Sequence, residues 1–501
     1  MGDENSLLTE GDARHLLRRA TFSPDPRSVD RLVGKTRGYA ADKLLRGRGG
    51  SHKLRGKDDQ ELHDDWLNYC WKQRKRINER LVLFWHDHFA TSQADVDDLE
   101  LMAQQNKLLR THCKGNVVGK NFKDFVKAIN KDPAMMVFLD TVRNTKNRPN
   151  ENYGRELQEL FTLGVFDLLG AENYDQDDIV QISRAFTGWD YDASGNPVMN
   201  VSQHDFGSPK TIYQTHGGFG AGGRDITENG TGEIEIDTVV DIIFEHRDSA
   251  GKNTVARHIA HKLLAYLAGE NPDLAVVDEV VDASNFDGGA DPAAAWNLNA
   301  LLRAILVHDA FYASAGQPSS VKWPVQYVVE TLSLLGMKLD KKLVNVNGIN
   351  VNRYHVLNAS GASDEIRDHL DGMGQRLLEP PSVFGWDWEN AWINSGALLA
   401  RYEFAVTIAA ARGSGTVAFR PSRLVDLSLT DPASIVDAVT RALAVGDSFP
   451  GGSPQHSALV DYLTDNGALS PPLNLLDQAY RDEKLNGLFT LVLQSPAFQL
   501  Q

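Results

Sequence analysis

The chain has only two cysteines, Cys70 and Cys113, and neither lies in a CxxC or CxxCH spacing. A disulfide framework and a CxxCH haem attachment are thereby excluded, and two buried thiols fit better than a bridge. No run approaches the roughly 18 to 20 apolar residues that a membrane-spanning helix needs. Positive charge is in deficit: 51 Lys and Arg stand against 67 Asp and Glu, a formal net charge of −16. Such an outer field disfavours a nucleic-acid partner, because phosphates must be met by clustered cations. The basic run KQRKR at Lys72 to Arg76 is short and reads as a solvated helix face rather than a phosphate track. The opening MGDENSLLTEGDARHLL shows neither the basic n-region nor the apolar h-region of an export signal, so as written the chain reads as cytosolic.

Several motifs are also missing. GxxxxGK[ST], HExxH, GxSxG and the calcium-loop pattern do not occur, and nothing marks a flavin or haem site. The Gly-rich GGFGAGGR at Gly217 to Arg224 follows a polar loop instead of a buried strand, so a dinucleotide reading fails. No repeat with a fixed period of about 20 to 50 residues is visible, so a solenoid is not supported.

What is present is a globular composition, 42% apolar and 24% charged. Apolar residues recur at three- and four-residue steps, which predicts helices. They are expected over Thr9 to Ala20, from about Arg27, and in one long stretch from Asp58 to Ala90. More follow at Leu99 to His112, Phe122 to Ile129, Asn152 to Leu163 and Asp177 to Phe186. The second half adds Thr238 to Phe244, Thr254 to Leu267, Ala293 to Val307, Pro324 to Leu335, Ile435 to Ala444 and Leu475 to Leu493. The expected class is all-α, with long irregular Gly-rich loops and at most minor β. A main helical domain over 1–410, with a loop insert near 190–235, would be followed by a helical extension over 411–501 packed on the same body. The polar stretch Tyr191 to Gly232 is long for a structureless connection, and such loops are usually functional or disordered.

Four segments could carry chemistry. In NENYGRELQELFTLG, Glu156 and Glu159 lie about one helical turn apart and share a face. Arg155 precedes them, and Asn150 or Asn152 could cap the helix start. Paired carboxylates push each other's pKa apart, leaving one acid and one base; the plain alternative is a solvated face or an ion pair with Arg155 or Arg184. FWHDHFATS offers His86 and His88, which diverge on a helix but converge if the helix ends near Trp85. HDFGSPK combines His204, Asp205 and Lys210, suited to a polar or anionic ligand, or to nothing more than a turn. PPSVFGWDWENAWINS brings Trp386, Trp388 and Trp392 beside carboxylates, a pattern for stacking a sugar, although tryptophans are more often core.

These segments, with HLLRRATFSP, DPAMMVFLD, RAFTGW, ARHIAHKL, KWPVQYVVETL and SPAFQLQ, run in order along almost the whole chain. On them the chain resembles the bacterial domain-of-unknown-function family 1800. The resemblance implies a largely helical, often exported protein, hence a periplasmic or secreted setting. Its motif positions fall on His86, His88, Asn152, Tyr153, Arg155, Glu156, Glu159, Gly164, Arg184, Trp189, His204, Asp205, Lys210, Gly385, Trp386, Trp392, Asn394 and Ser395. Ser208 departs from the expected HDxGxK spacing, which puts the role of Lys210 in doubt.

Together these readings give an expected function: an extracytoplasmic hydrolase or lyase acting on a polysaccharide or other polar polymer by carboxylate acid/base chemistry. Glu156, Glu159, His86 and His88 would be the catalytic group. Asn152, Tyr153, Arg155, Arg184, His204, Asp205, Lys210, Trp386, Trp392 and Asn394 would bind substrate. One alternative places a divalent metal among His86, His88, His204 and Glu156; another is a non-enzymatic cell-surface protein for glycan binding or assembly. All of them require residues near 86, 156 and 204 to meet around one hollow.

Overall fold

The computed structural model describes residues 3–46, 51–114, 121–207, 209–313, 315, 319–357, 363–411 and 418–501. Met1, Gly2 and Ser208, which bear on the reading of the N-terminus and of the HDFGSPK spacing, lie outside the described residues.

Helices α1 (Glu10–Ala20), α2 (Pro26–Asp30) and α3 (Arg37–Leu45) open the chain. Thr9 and Asp12 form a reciprocal capping box that starts α1, and Asp25 with Pro26 starts α2. The expected single stretch from Asp58 to Ala90 is two helices, α4 (Asp59–Lys72) and α5 (Asn78–His88). From Gln73 onward the KQRKR run therefore forms the turn between them rather than one face of a continuous helix.

Then come α6 (Gln93–Val96), α7 (Leu99–His112), α8 (Phe122–Asn130), α9 (Pro133–Phe138), α10 (Asn152–Glu159) and α11 (Gln176–Ala185). The polar middle holds two small hairpins, β1 (Trp189–Tyr191) with β2 (Pro197–Met199) and β3 (Thr211–Ile212) with β4 (Arg224–Asp225). Beyond it lie α12 (Glu235–Ile243), α13 (Thr254–Leu267), α14 (Leu274–Ser284), α15 (Leu298–Val307), α16 (Asp309–Tyr312) and α17 (Pro324–Leu334).

A three-stranded antiparallel sheet follows, β5 (Asp340–Val346), β6 (Ile349–Leu357) and β7 (Ser363–Glu365), and its middle strand packs on α4. The chain finishes with α18 (Ile366–Gly372), α19 (Ser395–Ala409), α20 (Pro432–Ala442), α21 (Pro454–Thr464), α22 (Gln478–Tyr480), a π turn over Arg481–Leu485, α23 (Asn486–Gln494) and α24 (Pro496–Gln499). The protein is predominantly helical with only small antiparallel sheets.

A contiguous buried apolar cluster runs from Leu8 to Phe498. Trp85 sits at an aromatic centre with Phe89, Phe122 and Phe125, and Phe161 reaches the same centre through Phe89. The last helices are tied back to this body: α23 packs on α19, and buried Arg401 donates to Gln499 Oε1 at 3.1 Å and to the Lys322 carbonyl at 2.6 Å. Cys70 and Cys113 are buried free thiols, as expected for a chain with a core of this size. Among the described residues no helix is long and apolar enough to cross a membrane.

Candidate functional site

The carboxylate pair is set by how α10 is wedged. Tyr153, Gly154, Leu157 and Gln158 face inward. A Cβ on Gly154 would lie 2.8 Å from Ser183 Oγ, so only glycine lets α10 approach α11 this closely. Tyr153 donates to Asn130 at 2.6 Å, and Tyr213 donates to Gln158 at 2.9 Å. With that face fixed, Arg155, Glu156 and Glu159 emerge half-buried beside the exposed Asn152. Asn150 Oδ1 accepts the Asn152 N–H at 2.9 Å, but the N-cap position falls on Glu151, which makes no side-chain cap bond.

Glu156 Oε2 is buried and has no hydrogen-bond partner among the described residues. Burial, reinforced by the Glu159 charge, pushes Glu156 up to about 7. Tyr174 donates to Glu159 at 3.5 Å, and burial followed by that same carboxylate raises the phenol well above its ordinary range. Of the plain alternatives the ion pairs do not form, since Arg155 reaches Glu151 and Gln176, each at 3.4 Å, and Arg184 reaches Asp205, while a partly solvated face fits both glutamates.

Just past α10 the backbone joins this face to a second cluster. The Glu156 carbonyl accepts from Leu160 and Phe161. The Phe161 carbonyl faces His88 Nε2 at 3.2 Å, and the Leu160 carbonyl accepts from the His258 ring. A carbonyl can only accept, so Nε2 carries the His88 proton, and its buried Nδ1 is left without a partner; His258 Nε2 is likewise buried and unpartnered. Burial holds both imidazoles below their ordinary range, His258 near 3, with the neighbouring Lys262 charge adding to the effect.

Asp87 faces that lysine. Its carboxylate accepts from the Trp386 N–H at 2.7 Å and from Trp388 Nε1 at 2.9 Å. Burial raises the Asp87 carboxyl and lowers the Lys262 ammonium, while their mutual attraction opposes both shifts. Asp87, His258 and Lys262 are the residues that motif reading passes over. Asp87 stands between the two histidines of HDH, and His258 and Lys262 lie four apart on α13 within ARHIAHKL, a helical spacing that was the available signal.

The other expected site residues do not converge here. Because α5 continues through His88, His86 and His88 point apart, and the convergence that required a helix end near Trp85 does not occur. His86 is 0% exposed and packs edge-on to Trp66 and against Trp386. Among the described residues neither of its ring nitrogens has a partner, and burial pushes it down to about 3.

His204 and Lys210 belong to a closed network. His204 Nδ1 donates to the Thr187 carbonyl at 2.7 Å, its Nε2 meets Glu235 Oε1 at 3.0 Å, and Lys210 donates to Glu235 Oε2 at 2.7 Å. Arg184 pairs with Asp205 at 2.7 Å, and the Gly207 N–H donates to Asp205 at 2.7 Å, the turn-forming alternative. The long polar loop is thus pinned onto α12 rather than left free for a substrate.

Trp386 and Trp392, only 4% and 3% exposed, pack with Trp388 around Trp323, so they are core and not an exposed stacking platform. Asn394 caps α19 by accepting the Ala397 N–H at 3.0 Å. The single hollow expected around positions 86, 156 and 204 is therefore replaced by three separate environments, sealed at 86 and 204 and half-open at 156.

The expected metal ligands likewise do not come together, since His86 is enclosed by aromatic rings and both His204 nitrogens are engaged. Among the described residues the one group whose potential ligand atoms lie within 4.8 Å of one another is Asp175, Asp178 and His216. Asp175 and Asp178 already cap α11, whose N-terminal dipole favours negative and not positive charge, and this weighs against a cation there.

A family model described as "Protein of unknown function (DUF1800)" matches residues 15–500. No curated protein and no solved structure matches the chain.

Proposed function

The chain belongs to the DUF1800 family, and we propose that it is an acid/base enzyme, a hydrolase or lyase in which Glu156 transfers the proton. The observation that carries this reading is the half-buried Glu156 carboxyl, raised to about 7, with one oxygen buried and unsatisfied and a second carboxylate on the same face. A group poised near neutrality can hold and release a proton at working pH, which is what general acid/base catalysis demands. Glu159, to which Tyr174 donates, lies on the same helix face and would stabilise a developing cation or turn a water toward the substrate. Exposed Asn152 and half-buried Arg155 supply polar groups beside the pair. A polysaccharide or similar polar polymer met outside the cytoplasm is the substrate class we assign, because this face offers hydrogen bonds and charge rather than an apolar slot.

Turnover of a panel of neutral and uronate-containing polysaccharides by the full chain, with reducing ends and unsaturated products followed separately, tests the reading. Glu156→Gln should lose about 100-fold or more in rate, the usual contribution of a general acid or base. Full activity in a folded Glu156→Gln protein would remove Glu156 from the chemistry.

A second reading is favoured by the closed His204–Lys210–Glu235 network: a non-enzymatic cell-surface protein for glycan binding or assembly, in which buried charges serve the fold. Retention of a polysaccharide by the protein without turnover, unaffected by Glu156→Gln, would select it.

A further inference from the structure

A cavity of about 460 Å³ lies far along the chain from α10, bounded by α1, α2, α3 and the turn between α4 and α5. Its rim carries Arg31, Lys43, Arg46, Lys75 and Arg76, and the buried Leu17 and Leu32 contribute to its floor. Among the described residues no carboxylate lines it, in a chain that has 67 acidic residues against 51 basic ones. Among the described residues Lys75 alone of these cations has an ion-pair partner, Asp25 at 2.8 Å.

Five like charges around one concavity repel one another, and a cleft of one sign focuses its field outward to attract the opposite ion. The ordinary explanation is that the cations neutralise helix ends, since Arg31 and Arg46 are C-terminal caps and Lys75 and Arg76 follow the end of α4. Three helix C-termini supply at most about one and a half negative charges. With Asp25 included, roughly two and a half positive charges remain unanswered. The volume falls in the range of small-molecule sites, and the apolar floor admits an organic body.

We propose that this cavity binds a small organic polyanion carrying two or more phosphate or sulfate groups. The assignment stands on a different surface from Glu156 and is independent of the acid/base reading. It changes the sense of the KQRKR run, which lends two of the five cations because the helix breaks there.

Calorimetric titration of the full chain with sodium tripolyphosphate at about 0.15 M salt, where exposed charges more than about 8 Å apart are screened, reads the site directly. The expected result is one ion bound per chain with a dissociation constant of about 100 μM or tighter. Arg31→Glu/Arg46→Glu should weaken it at least about tenfold, and the milder Arg31→Gln/Arg46→Gln should fall between. Lys338→Glu/Lys341→Glu, which removes the same charge from an exposed surface elsewhere, should leave it unchanged. Absence of binding, or equal weakening in both charge-reversed proteins, overturns the proposal. So does binding to phosphatidylglycerol vesicles without binding to tripolyphosphate, which would mark a lipid-surface contact instead.

Discussion

Lys210 donates to Glu235 at 2.7 Å, and both side chains are fully withdrawn from solvent. Removing Lys210 leaves Glu235 buried with only the His204 ring beside it, an undercompensated charge. Lys210→Met should therefore lower the unfolding free energy by about 3 to 5 kcal/mol in urea titrations. A loss under about 1 kcal/mol would mean that water reaches the pair.

Glu156 gives stability a definite pH dependence. Its folded carboxyl titrates near 7 against an ordinary 4.5, so between these values the folded state holds more protons than the unfolded chain. Stability from this group is complete below about pH 4.5 and is lost as pH rises through about 7. Glu156→Gln cannot ionise, so it should be more stable than the parent above pH 7 and nearly equal to it at pH 4, as followed by thermal unfolding. A parent whose stability relative to the variant does not change with pH would contradict the raised carboxyl.

His86 carries the opposite dependence. Held near 3 when folded against an ordinary 6.5, it takes up its proton on unfolding, and this destabilises the fold as pH falls through that window. Phenylalanine keeps the ring against Trp66 and removes the titration, so His86→Phe should outlast the parent between about pH 6 and pH 4 in acid-unfolding curves. Because the imidazole is sealed, the variant should also keep full polysaccharide turnover. A folded but inactive His86→Phe would return this histidine to the chemistry.

Trp392→Ala should act on stability rather than on ligand affinity, costing about 3 to 5 kcal/mol as a large-to-small core substitution. Asn394→Ala should cost about 1 kcal/mol, the value of a helix cap. Chemical denaturation measures both. An unchanged midpoint for Trp392→Ala, with weakened glycan retention, would restore the stacking role.

How legible this was depended on the range of the interactions. Glu156 and Glu159 were visible because a helix repeats every 3.6 residues, and spacing of three places them on one face whatever surrounds it. Helix extents such as Thr254 to Leu267 were legible for the same reason. The fate of His86 was not, since it turns on whether α5 stops at Trp85 or continues to His88, and the residue past the end is Phe89 rather than a glycine or proline. The link between Asp87 and Lys262 spans about a third of the chain, and nothing near either residue announces the other. The tryptophans of PPSVFGWDWENAWINS looked exposable because carboxylates adjoin them, yet their partner, Trp323, lies in another segment. The β5–β6 hairpin was missed because its residues alternate weakly, with polar Lys and Asn on both sides of Leu343 and Val344.

Gly154 leaves no slack between the helix bearing Glu156 and the one behind it. A molecule arriving at the two glutamates thus meets groups already in place, and association there should need little reorganisation of the protein. Introducing alanine at that glycine would prise the helices apart and misaim both carboxylates from behind, impairing turnover without altering any atom a substrate could touch.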